Sequence, residues 1–491
     1  MAKQSVLVIG SGFAGLSAAT ALAAKGFQVK IVEKNTDIGG RARKFKAAGF
    51  TFDMGPSWYW MPDVFESYFA KFGKKVSDYY ELDRLDPSYR VVYSQEEQVD
   101  IPANMAELQA LFEQYEPGAG AQLKNFLDQA AYKYEVGINN LVYKPGRSLS
   151  EFASPKLLYD VVRMDVFQSM AKHVRKFFKN EKLVQLMEFP VLFLGALPEN
   201  TPALYSLMNY ADMALGTWYP KGGMHKIVEG MAKLATEMGV EILTDHEVTH
   251  INSTNGHISS VTTSQGDLTA DVIVAGADYH HVETKLLPKG YRNYSDNYWD
   301  KRVMAPSSLI YYLGVNKKLD NLLHHNLFFD VDFKPHAHTI YTDPSWPENP
   351  LFYVSVTSKT DPHSAPEGCE NVFILIPVAP GLDDTEAIRE HYYDLVMTRL
   401  EKLTGESIKE HVVYKRSFAH KDFIKDYHSF KGNAYGLANT LKQTAILKPS
   451  LKNKNLTNLY YTGQLTVPGP GVPPSLISGQ VVADEIGKDF L

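Results

Sequence analysis

The first 33 residues contain the pattern that limits most strictly how this chain can fold. Residues 5–9 form a short apolar run of the kind found in buried parallel strands. A glycine-rich turn follows directly, with the sequence Gly10-Ser11-Gly12-Phe13-Ala14-Gly15. Residues 14–25 are rich in Ala and Leu, as in a helix, and residues 29–32 form a second apolar run that ends before Glu33. This order predicts a βαβ unit of the nucleotide-binding type.

Each glycine of the turn has a physical role in binding a dinucleotide. Gly10 permits the tight turn, Gly12 lets the backbone approach a pyrophosphate, and Gly15 lets the helix pack on the strand. The helix N-terminus offers unbonded N–H groups to the phosphates. Glu33 can accept both hydroxyls of an adenosine ribose, and its charge disfavours the 2′-phosphate of NADP. We expect further contacts from neighbouring residues, namely Ser11, Phe13, Ala14 and Lys34.

Composition excludes several classes of function. A length of 491 residues indicates roughly two to four domains. The net charge of −6 gives no general attraction for nucleic acid, so no nucleic-acid partner is expected. The single cysteine, Cys369, allows no intrachain disulfide or thiolate metal cluster and is interpreted as a bystander. With neither a signal peptide nor an 18-residue apolar run, we expect a cytoplasmic protein, or one attached to the membrane from the cytoplasmic side.

Two further motifs follow the βαβ unit, and they distinguish FAD from NAD. Their sequences are Ile38-Gly39-Gly40-Arg41-Ala42 and Asp53-Met54-Gly55-Pro56-Ser57. They resemble ordered motifs of the flavoprotein superfamily that includes amine oxidases, protoporphyrinogen oxidase and carotenoid desaturases. The resemblance implies that Gly40 passes close to the pyrophosphate and that Arg41 neutralises negative charge nearby. It also implies that Gly55, Pro56 and Ser57 lie beside the isoalloxazine of FAD.

The same superfamily has a late motif, and this chain has a counterpart of it. Tyr461-Thr462-Gly463-Gln464 ends an apolar strand, and the resemblance implies that Gly463 and Gln464 lie by the ribityl–phosphate chain of the flavin. A Gly/Pro loop then spans residues 463–475, and a helix is expected from Leu476. The resemblance implies that Gly471, Val472 and Pro473 lie at the N1–O2 edge of the flavin, where backbone N–H groups of this loop could face it. The resemblance also implies that the backbone of Val248 lies against the adenine of FAD.

The pattern of elements predicts how these motifs are arranged in domains. The fold class is α/β, with a discontinuous Rossmann-like FAD-binding domain, a mixed-sheet substrate domain and an inserted helical region, as in amine oxidases and carotenoid desaturases. The predicted ranges are 1–75, 222–285 and 435–491 for the FAD-binding domain. Residues 76–105 and 286–434 form the predicted substrate domain, and residues 106–221 a mostly helical, membrane-facing lid.

The tail loop narrows the resemblance to one branch. Residues 466–475 resemble the H-P-G-x-G-[IV]-P signature of bacterial-type phytoene desaturases, and the likeness to flavobacterial members extends over nearly the whole chain. Many relatives have Gly at the position of Pro474, and often an acid or His near Leu465 and Thr466, which leaves the exact carotenoid open. The resemblance implies a carotenoid desaturase that transfers hydride to flavin N5, with phytoene as the predicted substrate and oxygen or a quinone as acceptor.

The sequence leaves three alternative functions to consider. The first is 3,4-desaturation of a hydroxylated or monocyclic carotenoid. The second is a flavin-free prenyl- or lipid-binding escort protein, which would lack a working phosphate loop. The third is an amine oxidase, which would show an aromatic cage where Thr466, Val467 and Pro468 stand. No catalytic base can be assigned from the sequence.

The middle of the chain is rich in aromatic residues that could line a tunnel for a long apolar substrate. Residues 164–179 also combine apolar and basic side chains, and they indicate either a membrane-docking helix or a helix with its apolar face in the core. The pairs His280-His281 and His324-His325 do not predict a metal site, because neighbouring residues of a strand point to opposite faces.

Overall fold

The computed structural model describes residues 3–152, 163–194, 197–440 and 442–491. Its nucleotide-binding part is built on a five-stranded, fully parallel sheet. The strands in sheet order are Leu459–Tyr461, Val272–Ala275, Ser5–Ile9, Gln28–Val32 and Glu241–Leu243. One sheet is therefore assembled from three distant stretches of the chain.

Alternation along the first strand explains how this sheet is covered on both faces. Val6 and Val8 pack against helices, including Phe13–Ala24 and Val472–Phe490. Leu7 and Ile9 face the opposite way, against a small antiparallel sheet. That small sheet consists of Val248–Thr254, His257–Thr263 and Gly266–Leu268. Residues 6–9 of the strand are all apolar because neither of its faces meets water there.

The second large sheet has seven strands and mixed direction. In order, the strands are Val412–Phe418, Ser307–Val315, Glu370–Val378, Phe352–Ser355, His325–Phe328, Tyr89–Val92 and Gln98–Ile101. Every neighbouring pair is antiparallel except His325–Phe328 with Tyr89–Val92. The sequence predicts four of these strands, within residues 305–420.

Each face of the central strand Ser307–Val315 has a different neighbour. Leu309, Tyr311 and Leu313 pack against helix Glu386–Thr404. That helix begins at the Thr385 side chain, which accepts a hydrogen bond from the N–H of Ile388, and it ends at Gly405 with φ +71°. Ile310 and Tyr312 face the other way, into the same core as the flavin motifs. The mixed sheet thus forms one wall of the nucleotide-binding region.

The remaining elements connect these layers. Two-stranded ribbons pair Lys44–Ala47 with Phe50–Asp53 and Leu82–Arg84 with Trp218–Pro220. Among the described residues, the other α-helices are Pro62–Ala70, Met105–Tyr115, Ala119–Val136, Met170–Val174, Glu181–Glu188, Leu207–Asn209, His225–Glu237, Tyr279–His281, Asp296–Asp300, Phe333–Tyr341 and His420–Tyr427. Within the described ranges, every helix is too short or too polar to span a lipid bilayer.

The predicted fold class is confirmed, with a parallel sheet, a mixed sheet and an inserted helical region. The predicted domain boundaries stay predictions. Two local predictions are wrong. The last helix begins at Val472 rather than Leu476, because the prolines of its first turn lie where an N–H has no intrahelical partner.

Residues 164–179 do not form one amphipathic helix. Only Met170–Val174 is helical there, and the side chains of Met164, Met170, Val174 and Phe178 are buried. Among the apolar side chains of this segment, Phe167 is the one that projects outward, with 84% of its surface exposed. The apolar residues serve the core because the chain turns at Met164–Phe167 and again at Arg175–Phe177.

Candidate functional site

The N-termini of two helices meet at one end of the parallel sheet. Helices Phe13–Ala24 and Val472–Phe490 run in the same direction, because Ser17 Oγ donates to the Leu476 carbonyl at 2.7 Å and Lys25 pairs with Asp484 further along. A Cβ on Gly479 would lie only 2.4 Å from the Ala14 carbonyl oxygen. No side chain caps either N-terminus. Two positive dipole ends therefore converge, and the first helix adds unbonded N–H groups. In the first turn of the last helix, Pro473 and Pro474 carry no N–H, so Val472 supplies the N–H there.

Three glycines in the first turn have different surroundings. Gly10 has φ +98°, which favours glycine. A Cβ on Gly15 would lie 2.0 Å from the Gly10 carbonyl oxygen, so only glycine fits there. A Cβ on Gly12 would meet nothing within 4 Å, while one on Gly40 would lie 3.4 Å from Gly12 Cα. Gly12 therefore faces open space beside the second motif, as a phosphate cradle requires.

Glu33 is buried, and its carboxylate accepts four hydrogen bonds. Oε2 accepts from the backbone N–H of Ser11 at 2.9 Å and from its hydroxyl at 2.7 Å. Oε1 accepts from the N–H and the side-chain amide of Asn35, both at 3.0 Å. Glu33 thus holds the glycine turn to the second strand, and ribose hydroxyls would share its oxygens with these donors.

Arg41 lies at the centre of the second motif. Its Nη2 donates to Ser429 Oγ at 2.9 Å, while its Nε is buried without a partner among the described residues. With the Gln464 amide oriented by its hydrogen bonds, that amide oxygen accepts from Nη2 at 2.9 Å. Burial lowers the pKa of Arg41, and the nearby Asp278 carboxylate opposes this. The arrangement leaves a cation with spare donor capacity at the crevice.

The third motif packs directly against the second. A Cβ on Gly55 would lie 2.3 Å from the Arg41 carbonyl oxygen, so this glycine lets the two segments touch. Asp53 accepts from the N–H groups of Met224 and His225 at 2.8 and 3.1 Å and so caps helix His225–Glu237. Burial raises the pKa of Asp53 to about 6, although these hydrogen bonds act in the opposite direction. The acid of this motif has a structural role that the sequence did not reveal.

The late motif is held by one buried hydroxyl. Ser478 Oγ accepts from the Gly463 N–H at 3.0 Å and lies 3.0 Å from the hydroxyls of Thr462 and Thr466. The Gly463 N–H is therefore already engaged. Gly471 has φ +111° and directly precedes the last helix, so the tail loop ends at the converging N-termini.

The next two predicted contacts are those of Val248 and Lys34. The Glu33 carbonyl accepts from the His246 N–H, and Val248 begins the small sheet two residues later. The Lys34 ammonium is directed away from the glycine turn, donating to the Lys425 carbonyl and lying 4.0 Å from a Glu247 carboxylate oxygen.

Aromatic side chains gather immediately after the third motif. The Trp58 ring stacks on the His325 ring, with the ring centroids 4.1 Å apart. The rings of Trp60 and Tyr89 have their centroids within 5.4 Å of the Trp58 centroid. The Tyr353 hydroxyl and His325 Nδ1 share a hydrogen bond of 2.6 Å. A narrow neighbouring cleft is lined by residues including Gly55, Pro56, Ser57, Ser355 and Thr357. The cleft links the flavin motifs to the mixed sheet.

The aromatic residues of the middle region divide into two groups. Trp58, Trp60 and Phe189 join this cluster, in which Phe189 lies 6.4 Å from each of the two tryptophans. Phe167 lies at the surface, and Trp218 packs on Arg84.

The adjacent histidines bind neighbouring side chains. His281 stacks on His428 at 3.9 Å, and His324 bonds the Thr360 hydroxyl at 2.7 Å. The argument from strand alternation fails for both pairs, because residues 279–281 form a helical turn and His324 precedes its strand. In the part of the chain that the structure describes, no three His, Cys, Asp or Glu side chains form a metal site.

Residues outside the predicted motifs complete the site. Gly276 and Asp278 follow a buried parallel strand just as Gly10 follows the first strand, and Ser478, His325 and Tyr353 were also missed. The rule that ligands bind beyond the carboxyl ends of parallel strands would have found Asp278. The open cradle at Gly12 and the unpartnered Arg41 Nε fit the diphosphate of FAD. The individual contacts of the predicted site residues with FAD stay predictions.

Comparisons with known proteins agree with this geometry. The family model of flavin-containing amine oxidoreductases matches residues 13–487. Carotenoid 3,4-desaturase of Haloarcula japonica is 42% identical over 492 residues, covering 100% of this chain and 99% of that protein. The zeta-carotene-forming phytoene desaturase of Myxococcus xanthus is 31% identical, and the match covers 98% of this chain and 94% of that protein.

A solved oxidoreductase of Methanosarcina mazei shares the fold at 15% identity and a TM-score of 0.62, covering 98% of this chain and 100% of that one. The predicted enzyme class and the predicted FAD cofactor are confirmed by the family. This chain belongs to the flavin-containing amine oxidoreductase family and, within it, to the carotenoid desaturases.

Proposed function

We propose that the protein is an FAD-dependent carotenoid desaturase that introduces a double bond at the 3,4 position, near one end of the carotenoid chain. The observation that carries the desaturase assignment is the aromatic cluster around Trp58, which begins one residue after the third flavin motif. The choice of the 3,4 bond is supported by the greater identity to the Haloarcula relative, 42% against 31% for the phytoene desaturase.

The chain's own residues would position the substrate and exclude water. The rings of Trp58, Tyr89 and Tyr353 offer flat apolar faces to a polyene. Their close packing keeps the reacting carbons dry and oriented, which is the main contribution that a protein makes to such a reaction. When bound, FAD supplies the acceptor for the two electrons removed with hydrogen from the C–H bonds.

Desaturation of phytoene is the second candidate, because a phytoene desaturase matches nearly the whole chain. The two candidates differ in where the reacting bonds lie along the chain. A 3,4-desaturase acts near an end of an already conjugated carotenoid, whereas phytoene desaturation acts near the middle of a colourless one. A flavin-free escort role has no such support, and the open space at Gly12 and the buried Arg41 favour a protein that binds a diphosphate.

The test uses purified protein loaded with FAD and presented with each carotenoid in vesicles. We expect a carotenoid with a saturated 3,4 bond to gain one double bond, measured by chromatography and by a red shift of its absorbance. Conversion of phytoene with no change in the first carotenoid would establish the second candidate instead. Conversion of neither by flavin-loaded protein would contradict the desaturase function.

We also propose that the protein works on the cytoplasmic face of a membrane, where a long apolar substrate resides. Phe167 is 84% exposed, and Lys172, Arg175, Lys176 and Lys179 are exposed in the segment that follows it. An apolar side chain beside basic charge favours binding to anionic lipid. Phe167→Ser should lower co-sedimentation with anionic vesicles, while Val413→Ser, at another exposed apolar position, should not.

A further proposal concerns the electron acceptor, which we assign to oxygen or a membrane quinone. Reduced protein should reoxidise with one of the two when they are offered separately. A rate that rises with quinone in vesicles under anaerobic conditions would select the quinone.

A further inference from the structure

His325 is a buried histidine of the aromatic cluster around Trp58, and one of its ring nitrogens is free. It begins strand His325–Phe328 and is 0% exposed. Its Nδ1 shares a hydrogen bond of 2.6 Å with the Tyr353 hydroxyl, whereas its Nε2 has no hydrogen-bond partner in the ranges that the structure describes. Buried polar atoms are seldom left without a partner, so this nitrogen indicates a missing one.

The free nitrogen is assigned as a lone pair rather than an N–H group. Unpartnered buried N–H groups are rarer than unpartnered acceptors, so the ring proton is placed on Nδ1, which donates it to the Tyr353 hydroxyl oxygen. Burial lowers the pKa of His325 well below its usual range, and the neighbouring His324 acts in the same direction. The ring is therefore neutral at physiological pH, and its Nε2 lone pair is available.

The His325 ring lies between the aromatic cluster and the third flavin motif. One face of the ring stacks on Trp58. On the neighbouring strand His325 pairs directly with Ser355, which lines the narrow cleft together with Ser57 of the third motif. The Ser57 side chain also interacts with the Tyr353 hydroxyl. These contacts lead from the cluster through His325 and Tyr353 to the cleft.

Three carboxyl groups of this region are less suited to accept a proton from a substrate. Asp53 already accepts from two backbone N–H groups, and Asp212 already accepts from two hydroxyls. Glu188 has one oxygen without a partner in the described structure, but the charged group that acts on it most is the exposed Arg175. His325 combines burial, a place in the aromatic cluster and a free lone pair.

We propose that His325 is the base of the reaction, and that its Nε2 accepts the proton that the substrate loses as the new double bond forms. This rests on the proposed function, in which the carotenoid first loses a hydride to the bound flavin and becomes a cation delocalised over its polyene. A C–H bond on the next carbon then breaks, its electron pair completes the C=C bond, and the proton binds Nε2. Such a cation is a strong acid, so a weakly basic imidazole is sufficient.

The Tyr353 hydroxyl gives this proton a way out. The Nδ1 proton moves to the Tyr353 oxygen as the hydroxyl proton of Tyr353 leaves towards Ser57, and the ring is neutral again. The imidazole thus takes up a proton on one nitrogen and releases one from the other.

The first test is His325→Asn, which removes the basic nitrogen but keeps an amide that can bond Tyr353. The rate of double-bond formation is measured anaerobically in a single turnover, and the dissociation constant of the carotenoid by quenching of tryptophan fluorescence. We expect the rate to fall on the order of a hundredfold. The dissociation constant and the FAD content should not change, because the lost interaction is made only in the transition state.

His324→Asn is the matched control. His324 is also buried with an unpartnered Nε2 among the described residues, but its Nδ1 bonds the Thr360 hydroxyl instead. This variant should keep a rate close to that of wild type.

Chemical rescue separates a base from a residue that only fills space. In His325→Ala, added imidazole should restore part of the rate, whereas pyrrole, a ring of the same size without a basic lone pair, should not. A further readout needs no turnover and no variant that might lose its fold: the nitrogen NMR spectrum of the histidine-labelled protein. It should contain an unprotonated Nε2 that persists between about pH 5 and 8. Its absence from the His325→Asn spectrum assigns the signal.

Several results would overturn the proposal. These are an unchanged rate in His325→Asn, a weaker carotenoid binding that accounts for its loss, equal rescue by both rings, or a protonated Nε2 in the resting protein. A loss of rate in Glu188→Gln but not in His325→Asn would place the base at Glu188 instead. Failure of the wild-type protein to desaturate any carotenoid would refute the proposed function, whereas desaturation that is insensitive to His325 would refute this inference alone.

Discussion

The nucleotide-binding sheet and the mixed sheet build their halves of the site in different ways. At the parallel sheet, the fit depends on backbone atoms that touch where side chains are missing, as at Gly15 and Gly479. At the mixed sheet, the surface consists of large side chains such as Trp58, Tyr353 and His325. Backbone contacts allow one residue type per position, whereas an aromatic wall allows several. This predicts that substitutions in the first half act on folding or FAD, and those in the second on substrate.

The largest effect is expected for Gly15→Ala. The new Cβ would lie 2.0 Å from the Gly10 carbonyl oxygen, so either the helix or the first strand must move. We expect a loss of about 3 kcal/mol or more in the free energy of unfolding, measured by urea denaturation. Gly290→Ala, where a Cβ meets nothing within 4 Å, should leave that free energy unchanged and serves as the control. A stable Gly15→Ala protein would mean that the strand–helix contact is looser than described.

Gly12→Ala separates cofactor binding from folding within the same turn. A Cβ there touches no protein atom, but it projects into the cradle beside Gly40. We expect the unfolding free energy of the apoprotein to stay within about 0.5 kcal/mol and FAD affinity to fall on the order of tenfold. Titration with FAD, followed by absorbance, measures the affinity. Unaltered flavin occupancy would place the phosphates elsewhere.

Trp58→Leu tests the aromatic wall. It removes the stacking on His325 while keeping an apolar side chain. Aromatic pairs of this kind contribute about 1 kcal/mol, so we expect roughly a fivefold lower kcat/KM with FAD content unchanged. If the variant lost FAD instead, the two halves of the site would be less separate than this comparison holds.

The smallest effect is expected for Asp212→Asn, which changes the hydrogen-bond partner of Tyr89 in the aromatic cluster. Asp212 accepts from the Tyr89 hydroxyl at 2.8 Å, and burial raises its pKa to about 7. The folded state therefore binds this proton more tightly than the unfolded chain. Its contribution to stability is full below about pH 4 and is lost as the pH rises through 7. Asn does not titrate, so relative to wild type the variant should gain roughly 1 kcal/mol between pH 6.5 and 8.5, measured by denaturation. Parallel pH profiles would contradict the buried titration.

The sequence predicted the parallel-sheet half of the site, which depends on backbone contacts, better than the mixed-sheet half, which depends on large side chains. Glycines in a tight turn leave a local pattern, and so Gly10 and Gly15 could be found by their spacing, whereas Arg41 was found through the resemblance of its motif to the flavoprotein superfamily. Asp278 could not, because its proximity to Arg41 arises only when strands 5–9 and 272–275 pair. The aromatic residues were found as a group, but Phe167 shows that composition alone does not place each one.

The side-by-side packing of helices Phe13–Ala24 and Val472–Phe490 has a consequence for biosynthesis. A ribosome delivers the first helix long before the second, because most of this sequence lies between them. Until then the nascent chain exposes the face of the first helix that later packs on Gly479, and the flavin has only part of its cradle. The complete cradle for the flavin therefore forms only in chains synthesised past residue 479.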